Sequence, residues 1–378
     1  MGYSAAMSEA RRSSFSWVLA LVMVVGSASG AAAGEAFRLG SFEHRGEAFL
    51  GIVLRDAFAL DLTRANASME RRERLFVRLP MPRDMKELAG RWHIGMRDRV
   101  HAIVERVLPL LDLPEDERPV WIHDLEGLTV FPPVRPGKIL AAALNYPAHG
   151  VEMTTGAPAT MSDASALDDE QVSMEHFWER EPGDRRQNPY LFMKPGSIVI
   201  GPGEPIRMKP DREMVDWECE LAVVIGTPAA DASEDEAGSH IFGFTMMNDV
   251  GDREGRGDDR YGSDWLVWKS TETFAPLGPF ITPAEFVTDP HDLDIRFTLS
   301  GEVMQSANTG LMEHSVFELI RFASHNLVLD PGDVIATGTP DGVGYARTPP
   351  IFMTPGDTAA CWAEGIGTLV NPVRGWSE

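Results

Sequence analysis

The sequence is poor in cysteine and in basic residues. Its 378 residues include two cysteines, Cys219 and Cys361, which are too few for a disulfide framework or a cysteine-rich zinc site. Asp and Glu number 57 against 34 Lys and Arg, so the formal net charge is −23. Because nucleic-acid binding needs clustered Lys and Arg, this balance argues against a nucleic-acid partner. A hydrophobic content of 43% is sufficient for a packed core.

Long hydrophobic runs are also absent, and the one notable run lies near the N-terminus. Arg11 and Arg12 precede the apolar run Trp17–Val25, and small residues follow as far as Ala33. This order is typical of a secretory signal. We therefore predict that residues 1–34 are a signal peptide and that the mature protein is exported to the periplasm. The run is about half of the roughly 20 residues of a membrane span, so no stable span is expected. The alternative is a misassigned start codon and a cytoplasmic protein.

Turn residues and composition shifts predict the domain organisation. The 35 glycines and 27 prolines separate short apolar runs, which favours a strand-rich α+β chain. The proline-rich joint 131–137 predicts a small N-terminal α/β domain over 35–135 and a larger domain over 136–378. Residues 153–189 are polar and acidic without periodicity. Since long loops in compact domains are usually functional, they are a candidate lid; the alternative is a solvated insertion.

A few elements follow directly from periodicity. Apolar residues recur at three- and four-residue steps over 84–111 and over 316–327, which predicts helices. The apolar run 138–144 predicts a buried strand. Residues 36–62 alternate loosely and predict two short strands around a polar turn.

The densest chemical signal is the acidic pattern of residues 216–225. On a strand, Asp216, Glu218 and Glu220 share one face. Burying three unpaired acids is costly, and a bound divalent cation that prefers oxygen ligands, such as Mg²⁺, Mn²⁺ or Ca²⁺, would remove the conflict. A solvent-facing acidic strand is the alternative. Asp249 follows a further predicted strand and is placed to complete a metal site with open positions for substrate and water.

Several other side chains are candidates for chemistry. His149 and Glu152 lie three residues apart, so one helical turn would bring them together as a carboxylate-oriented base. A surface His–Glu contact is the alternative. Lys269 lies in an apolar stretch and is a candidate functional lysine. The alternative is a surface lysine whose amine reaches solvent. Arg253 follows Asp249 by four residues, within reach of an anionic substrate. The glycine-rich turn 337–344 lacks a phosphate-loop pattern, but its hydroxyl and N–H groups could hold a carboxylate.

The order of several short motifs carries a resemblance to a known family. The motifs are Leu144–Glu152, Leu191–Gly196, Ile200–Gly203, Asp216–Gly226, Asn248–Asp249, Lys269–Pro279, Pro331–Ile335 and Thr337–Pro340. In this order and spacing, the chain resembles the fumarylacetoacetate hydrolase family from about residue 37 to 373, most strongly after residue 138. The resemblance implies a mixed-strand roll for the C-terminal domain and a homodimer.

The same resemblance implies roles for individual residues. It implies Mg²⁺ or Mn²⁺ held by Glu218, Glu220 and Asp249. His149 and Glu152 would be a water-activating dyad. Lys269 would stabilise developing negative charge. The residues that would hold a small anionic substrate are Arg253, Gly338 and Thr339.

Some positions depart from the family pattern. Gly251–Glu254 stands where many relatives carry Ser/Thr-Ala-Arg-Asp, and Arg256 stands where a glutamine is frequent. Trp268 replaces the usual glycine before the lysine, and Asp341 replaces a small residue. Because these changes surround the predicted pocket and spare the metal ligands, we expect retained chemistry with an unusual substrate.

The resulting expectation is a metal-dependent hydrolase that cleaves a carbon–carbon bond in a β-diketone or acylpyruvate-type 2-oxo acid. One alternative is a decarboxylase, dehydratase or isomerase that acts on a related 2-oxo acid. Another is a non-catalytic exported binding protein.

Overall fold

A computed structural model describes residues 35–73, 76–155, 178, 184, 186, 188–254 and 264–378. Within it, Phe37–Glu378 form one compact unit. The predicted signal peptide lies outside the described residues, as does most of the candidate lid. The boundary predicted near residue 135 falls inside the compact unit and stays a prediction. No helix in the described ranges is long and apolar enough to cross a membrane.

The described part of the chain has the strand-rich α+β character that its composition predicts. The α-helices are α1 (Leu62–Arg72), α2 (Met85–Gly90), α3 (Met96–Leu111), α4 (Pro147–Thr155), α5 (Glu234–Ala237), α6 (Trp265–Lys269) and α7 (Val316–Asn326). The strands as far as the candidate site are β1 (Arg38–His44), β2 (Glu47–Leu54), β3 (Phe58–Asp61), β4 (Ile122–Asp124), β5 (Thr129–Phe131), β6 (Lys138–Ala142), β7 (Leu191–Pro195), β8 (Val199–Ile200), β9 (Ile206–Met208) and β10 (Val215–Asp216). The later strands are β11 (Cys219–Ile225), β12 (Ile241–Asn248), β13 (Gly251–Asp252), β14 (Ala275–Pro283), β15 (Asp294–Leu299), β16 (Glu302–Asn308), β17 (Val334–Ala336), β18 (Thr358–Ala363) and β19 (Gly367–Gly375).

Most strands join one large sheet. Its order is β4-β3-β2-β1-β14-β12-β11-β17-β6-β7, with β5 beside β1 and β8 beside β14. The strands β16-β15-β18-β19-β9 form a second sheet, and β10 pairs with β13. The strand β1 pairs with β14 through Leu39 and Ile281, so the N-terminal strands extend the same sheet as the C-terminal ones.

The periodic segments form helices because their apolar faces meet the core. In α3, Val100, Ile103 and Val107 are fully buried, as their spacing predicts. The predicted helical region divides before α3 at Gly95, whose φ of 115° is a left-handed conformation that favours glycine. The helix α7 begins at Ser315, which forms a capping box with Glu318.

Two predicted strand regions differ in detail. Residues 36–62 form three strands and the start of α1 rather than two strands. The acidic run does not form one continuous strand, because β10 ends at Asp216 and β11 begins at Cys219. Side chains interrupt the ladder between them: the Trp217 N–H donates to Asp216 Oδ1, and the Glu218 N–H donates to Asn248 Oδ1.

The two cysteines form a disulfide between β11 of the large sheet and β18 of the second sheet. The Cα atoms of Cys219 and Cys361 are 5.6 Å apart, and 142 positions separate the two residues in sequence. Both cysteines are buried. The bond therefore connects the two sheets beside the acidic residues Glu218 and Glu220.

We expect reduction of this disulfide to lower stability. In the chain-entropy description, a cross-link over a loop of this length stabilises the folded state by about 5 kcal/mol. The wild-type protein should therefore unfold at a lower temperature with a phosphine reductant than without it. The Cys361→Ala variant should unfold below the oxidised wild type and should not respond to reductant. Identical unfolding temperatures for oxidised and reduced wild type would contradict a formed cross-link.

Candidate active site

The candidate site lies where four strands of the large sheet end or begin. The antiparallel pairing of Cys219 with Asn248 places the start of β11 beside the end of β12. The strand β17 runs antiparallel to β11 and ends at the same edge. The strand β6 runs parallel to β17 and leads into α4. Segments far apart in sequence thereby supply side chains to one edge of the sheet.

Glu218, Glu220 and Asp249 form a buried acidic cluster at this edge. One carboxylate oxygen from each lies within 4.8 Å of the others. The Asp249 N–H donates to the Glu218 carbonyl oxygen at 2.7 Å, which fixes the separation of the two backbones. Oxygen atoms at this spacing are the donor set that a hard divalent cation prefers. The predicted metal ligands are therefore brought together, whereas Asp216 of the same run is directed elsewhere.

Asp216 binds Arg253 instead of joining the acidic cluster. The Arg253 guanidinium donates from Nε to Asp216 Oδ2 and from Nη2 to Glu218 Oε1, both at 2.8 Å. The Gly344 and Tyr345 N–H groups also donate to Asp216. The prediction that Asp216 shares the face of the two glutamates on one strand is thus wrong, because the strand breaks after Asp216. Its observed position orients the arginine.

Two buried lysines also contact the acidic cluster. Lys269 Nζ donates to Glu218 Oε2 at 2.5 Å and to Asp249 Oδ2 at 2.8 Å. Lys194 Nζ donates to the other Asp249 oxygen and to the carbonyl oxygens of Val250 and Phe274. The sequence analysis assigned no role to Lys194, although a lysine in the apolar strand Leu191–Pro195 is a signal that could have identified it.

The charges at this site leave one carboxylate without a cationic partner. Arg253, Lys269 and Lys194 bind Asp216, Glu218 and Asp249, but Glu220 accepts only the Gly338 N–H, at 2.8 Å, among the hydrogen bonds of the described residues. Burial and the neighbouring Asp249 and Glu218 raise the pKa of Glu220 well above its ordinary value. A divalent cation would relieve this repulsion, so the residues present fit such an ion.

Glu218 has the opposite electrostatic environment. Burial disfavours its charged form, but Lys269 and Arg253 outweigh the burial and lower the pKa of Glu218 to about 2. The pKa values of Glu218 and Glu220 thus differ because cationic side chains contact Glu218 and not Glu220. Glu218 is charged near neutral pH, while ionisation of Glu220 depends on added positive charge.

His149 and Glu152 form the dyad that their spacing predicts. Both lie on α4, and His149 Nδ1 is 2.7 Å from Glu152 Oε1. The Gly342 N–H donates to Glu152 Oε2 at 2.9 Å, so both carboxylate oxygens are held. Because a carboxylate oxygen accepts, His149 Nδ1 carries the hydrogen of this bond, which in a neutral imidazole leaves the lone pair on Nε2. Both side chains are buried, which distinguishes the pair from a surface contact.

The glycine-rich turn supports the site rather than presenting free donors. The N–H of Gly338 is used by Glu220. The hydroxyl of Thr339 donates to the Cys219 carbonyl oxygen at 3.0 Å and accepts from Gln305 at 2.8 Å. Gly338 has a φ of 93°, and an added Cβ would lie 2.8 Å from Asn145 Cβ. Substrate binding by Gly338 and Thr339 stays a prediction, and their observed bonds position Glu220 and β11.

Five of the predicted site residues line one cavity of about 390 Å³, whereas Glu152, Glu220, Asp249 and Gly338 are not part of its lining. Its polar lining includes His149, Glu218, Arg253, Lys269 and Thr339. A volume of this size lies within the range of small-molecule sites. The other walls are largely apolar and include four aromatic side chains, Tyr190, Phe192, Trp265 and Trp268. The sequence analysis identified only Trp268 among these, as a departure from the family pattern.

Comparison with known proteins identifies similar sequences. The family model described as the C-terminal part of fumarylacetoacetate (FAA) hydrolase matches residues 138–374. A protein of Bos taurus named as a mitochondrial oxaloacetate tautomerase is 37% identical over 242 residues, which are 64% of this chain and 68% of that protein.

Similar solved structures cover more of the chain. A fumarylacetoacetate hydrolase from the psychrophilic Exiguobacterium antarcticum is 26% identical with a TM-score of 0.66, and the match covers 90% of this chain and 100% of that one. Maleylpyruvate hydrolase from Sphingobium sp. SYK-6, solved with manganese(II) and pyruvate, is 27% identical with a TM-score of 0.62. That match covers 89% of this chain and 99% of the hydrolase. These matches confirm the predicted family fold.

The relatives also correct the predicted location. The similar tautomerases of Xenopus laevis, Bos taurus and Homo sapiens are named as mitochondrial, which is an intracellular location. The prediction of export to the periplasm is therefore wrong. Arginines and serines near an N-terminus are also typical of organelle-targeting segments, so the pattern of residues 1–34 does not by itself specify export.

Proposed function

Because the chain belongs to the fumarylacetoacetate hydrolase family, we propose that it is a metal-dependent enzyme that interconverts the keto and enol forms of a 2-oxo acid. The observation that supports this proposal most directly is the buried His149–Glu152 dyad, whose His149 lines the same cavity as Glu218, Arg253 and Lys269. This arrangement combines a base with positive charge beside an acidic cluster, as enolate formation requires.

Glu218, Glu220 and Asp249 would hold the divalent cation, Mg²⁺ or Mn²⁺. When bound, such an ion supplies Lewis-acid stabilisation of negative charge on neighbouring oxygens of a 2-oxo acid. The uncompensated Glu220 and the oxygen spacing of the cluster support this assignment. The manganese in the similar maleylpyruvate hydrolase structure supports it independently.

His149 would act as the acid–base group. Its Nε2 takes a proton from the carbon next to the keto group, and the electrons of that C–H bond form the new C=C bond. The electrons of the carbonyl π bond move to oxygen, which takes a proton from the His149 imidazolium to complete the enol and returns His149 to its starting form. Glu152 holds the imidazole in the required tautomer and stabilises its charged form. The reaction involves no oxidation or loss of atoms.

The cations of the site would stabilise the negative charge of substrate and enolate. Lys269 and Arg253 line the cavity and are fixed by Glu218, so their positions do not depend on substrate. Preorganised charge of this kind lowers the barrier because little reorganisation accompanies the reaction. Arg253 Nη1 is buried and donates to no partner among the described residues, so we assign it to the substrate carboxylate.

Tautomerisation is favoured over other reactions because, besides the divalent cation, it needs only an acid–base group such as His149 and no attacking water. The relatives at 34–37% identity that are named as oxaloacetate tautomerases also support it. Hydrolysis of a carbon–carbon bond is the second candidate, and the similarity to maleylpyruvate hydrolase favours it. There, His149 would deprotonate water, which attacks the distal carbonyl as the other fragment leaves as an enolate. The predicted homodimer stays a prediction.

Hydrogen exchange and product analysis would test the proposal. Purified protein with Mn²⁺ is incubated in D₂O with oxaloacetate and with acylpyruvates, and NMR follows exchange at the carbon next to the keto group. We expect EDTA-sensitive exchange faster than the enzyme-free rate, without fragmentation. Formation of two acid fragments would identify the reaction as hydrolysis instead of tautomerisation. Release of carbon dioxide would identify it as decarboxylation. Exchange at the enzyme-free rate, with intact substrates, would overturn the proposed function.

A further inference from the structure

A wall of four aromatic side chains faces the charged part of the cavity. We call Tyr190, Phe192, Trp265 and Trp268 the aromatic wall. The rings of Phe192 and Trp265 stack at 4.3 Å, Trp265 and Trp268 are 4.7 Å apart, and Tyr190 is 5.8 Å from Trp265. All four line the cavity that contains His149 and Lys269. The wall joins β7 to α6, two elements that also carry Lys194 and Lys269.

The wall is in direct contact with the proposed catalytic cations. The guanidinium carbon of Arg253 lies 4.9 Å from the centre of the Trp268 ring, and Lys269 Nζ lies 5.0 Å from it. Lys269 Nζ is also 5.8 Å from the Phe192 ring. A substrate whose carboxylate and keto oxygens reach the cations therefore extends its remaining atoms along aromatic surface.

The absence of a side chain at Gly251 makes room for Trp268. A Cβ on Gly251 would lie 2.7 Å from Trp268 Nε1 and 3.2 Å from Lys269 Cε. The indole therefore occupies the space that a side chain at position 251 would need. The sizes of Gly251 and Trp268 are therefore matched, and Trp268 is part of the cavity wall.

The charge distribution sets a limit on the substrate. The Nε and Nη2 atoms of Arg253 and the Nζ of Lys269 already bind carboxylates. Arg253 Nη1 is the atom of this pair of side chains that has no hydrogen-bond partner within the described residues. It can hold one substrate carboxylate. A second carboxylate at the far end would instead lie against aromatic rings and lose hydration without an ionic partner among the described residues of the lining.

We infer that the aromatic wall selects 2-oxo acids with one carboxylate and a flat unsaturated or aromatic group beyond the reacting carbon. This inference rests on the proposed function for the reaction, but the wall itself sets the substrate class. Stacked rings favour a flat partner because offset and edge-to-face contacts add to the burial of apolar area. The small dicarboxylate oxaloacetate lacks such a group and leaves the wall without a partner.

The test compares three substrates that differ beyond the reacting carbon. They are 4-phenyl-2,4-dioxobutanoate, 2,4-dioxopentanoate and oxaloacetate, each with Mn²⁺. The first variant, Trp265→Ala, keeps both Arg253 and Lys269. The second is Trp268→Gly, which is made alone and together with Gly251→Ser. Trp376→Ala is the control, since Trp376 does not line the cavity. We expect wild-type kcat/KM to favour the phenyl compound over the methyl compound by about 10-fold or more.

Both wall variants should lose most of this preference, whereas the Trp376→Ala variant should keep it. The Gly251→Ser and Trp268→Gly double variant should approach equal use of the phenyl and methyl compounds, while far-ultraviolet circular dichroism confirms its fold. Equal or greater wild-type activity on oxaloacetate, together with an unchanged phenyl-to-methyl ratio in Trp265→Ala, would overturn the inference and leave the proposed function intact.

Binding separates a failure of the inference from a failure of the proposed reaction. Calorimetric titration of the same compounds into the Mn²⁺-loaded protein requires no turnover. If no compound reacts but the phenyl compound binds tighter than the methyl one and Trp265→Ala removes that difference, the proposed function fails and the inference holds. If none reacts and the phenyl compound shows no binding advantage, both fail.

Discussion

Replacement of His149 by alanine is expected to lower turnover by about 10²–10⁴-fold, the usual contribution of a general base. The reason is geometric: His149 lines the cavity and contacts Glu152 through Nδ1, whereas His314, which also lines the cavity, lies beside Glu318. Steady-state kinetics on the best substrate would measure the loss. His93→Ala is a matched control, because His93 is exposed and does not line the cavity.

Two further measurements distinguish a catalytic loss from a structural one. The His149→Ala variant should bind Mn²⁺ with nearly wild-type affinity, because His149 is not among the three clustered acids. It should also retain the wild-type circular dichroism spectrum. Full turnover in this variant would contradict the role of the dyad, whereas loss of both turnover and Mn²⁺ would assign His149 a structural role.

Replacement of Glu220 by glutamine should remove the metal and, with it, turnover. Loss of a residue that merely supports a ligand usually costs about 10–100-fold in metal affinity, so loss of a ligand should cost at least about 100-fold. Titration calorimetry with Mn²⁺ would measure the effect. Glu364→Gln on the exposed surface should bind as the wild type does. Unchanged Mn²⁺ affinity in Glu220→Gln would contradict the proposed ligand set.

The raised pKa of Glu220 also gives this site a defined dependence on pH. In the metal-free protein, burial and the nearby Asp249 and Glu218 raise the pKa of Glu220, so that it stays protonated at pH values above the ordinary pKa of a glutamate. Metal binding must therefore release a proton, and affinity for Mn²⁺ should weaken as pH falls through the raised pKa. The Glu220→Gln variant should lose that dependence of Mn²⁺ affinity on pH.

The same shift predicts the stability of the metal-free protein. A group whose pKa is raised on folding contributes stability that is fully present below its unfolded pKa. That stability is lost as pH rises through the folded pKa. Over the pH range from the ordinary pKa of a glutamate to the raised pKa of Glu220, metal-free wild type should therefore lose more thermal stability with rising pH than Glu220→Gln. Parallel unfolding temperatures for the two proteins across this range would contradict an uncompensated Glu220.

The candidate site shows which contacts between residues could be predicted from their spacing in the sequence. Positions 149 and 152 can meet within one turn of a helix, so their contact follows from local geometry once α4 forms. The pairing of Glu218 and Glu220 with Asp249 requires β11 and β12 to be adjacent in one register. The resemblance to a family supplied that information, whereas the spacing of the acids alone left a solvent-facing strand open.

The position of Asp216 could not be obtained from the alternation of a strand. Side-chain bonds from Asp216 and Asn248 interrupt the ladder after β10, and tertiary contacts direct Asp216 to Arg253. Lys194 illustrates the same limit. Its strand was recognisable, but its three acceptors come from Asp249, Val250 and Phe274, which only the assembled sheet brings to it.

The sequence by itself determined the strand-rich class, the amphipathic face of α3 and the local His149–Glu152 pair. These features depend on composition and on spacings of a few residues, where backbone geometry fixes which side chains meet. Only the tertiary structure decided which acid lacks a cation, how Trp268 fits against Gly251 and how the aromatic wall faces Arg253. Those relations join residues from different strands and helices, so sheet register and packing determine them.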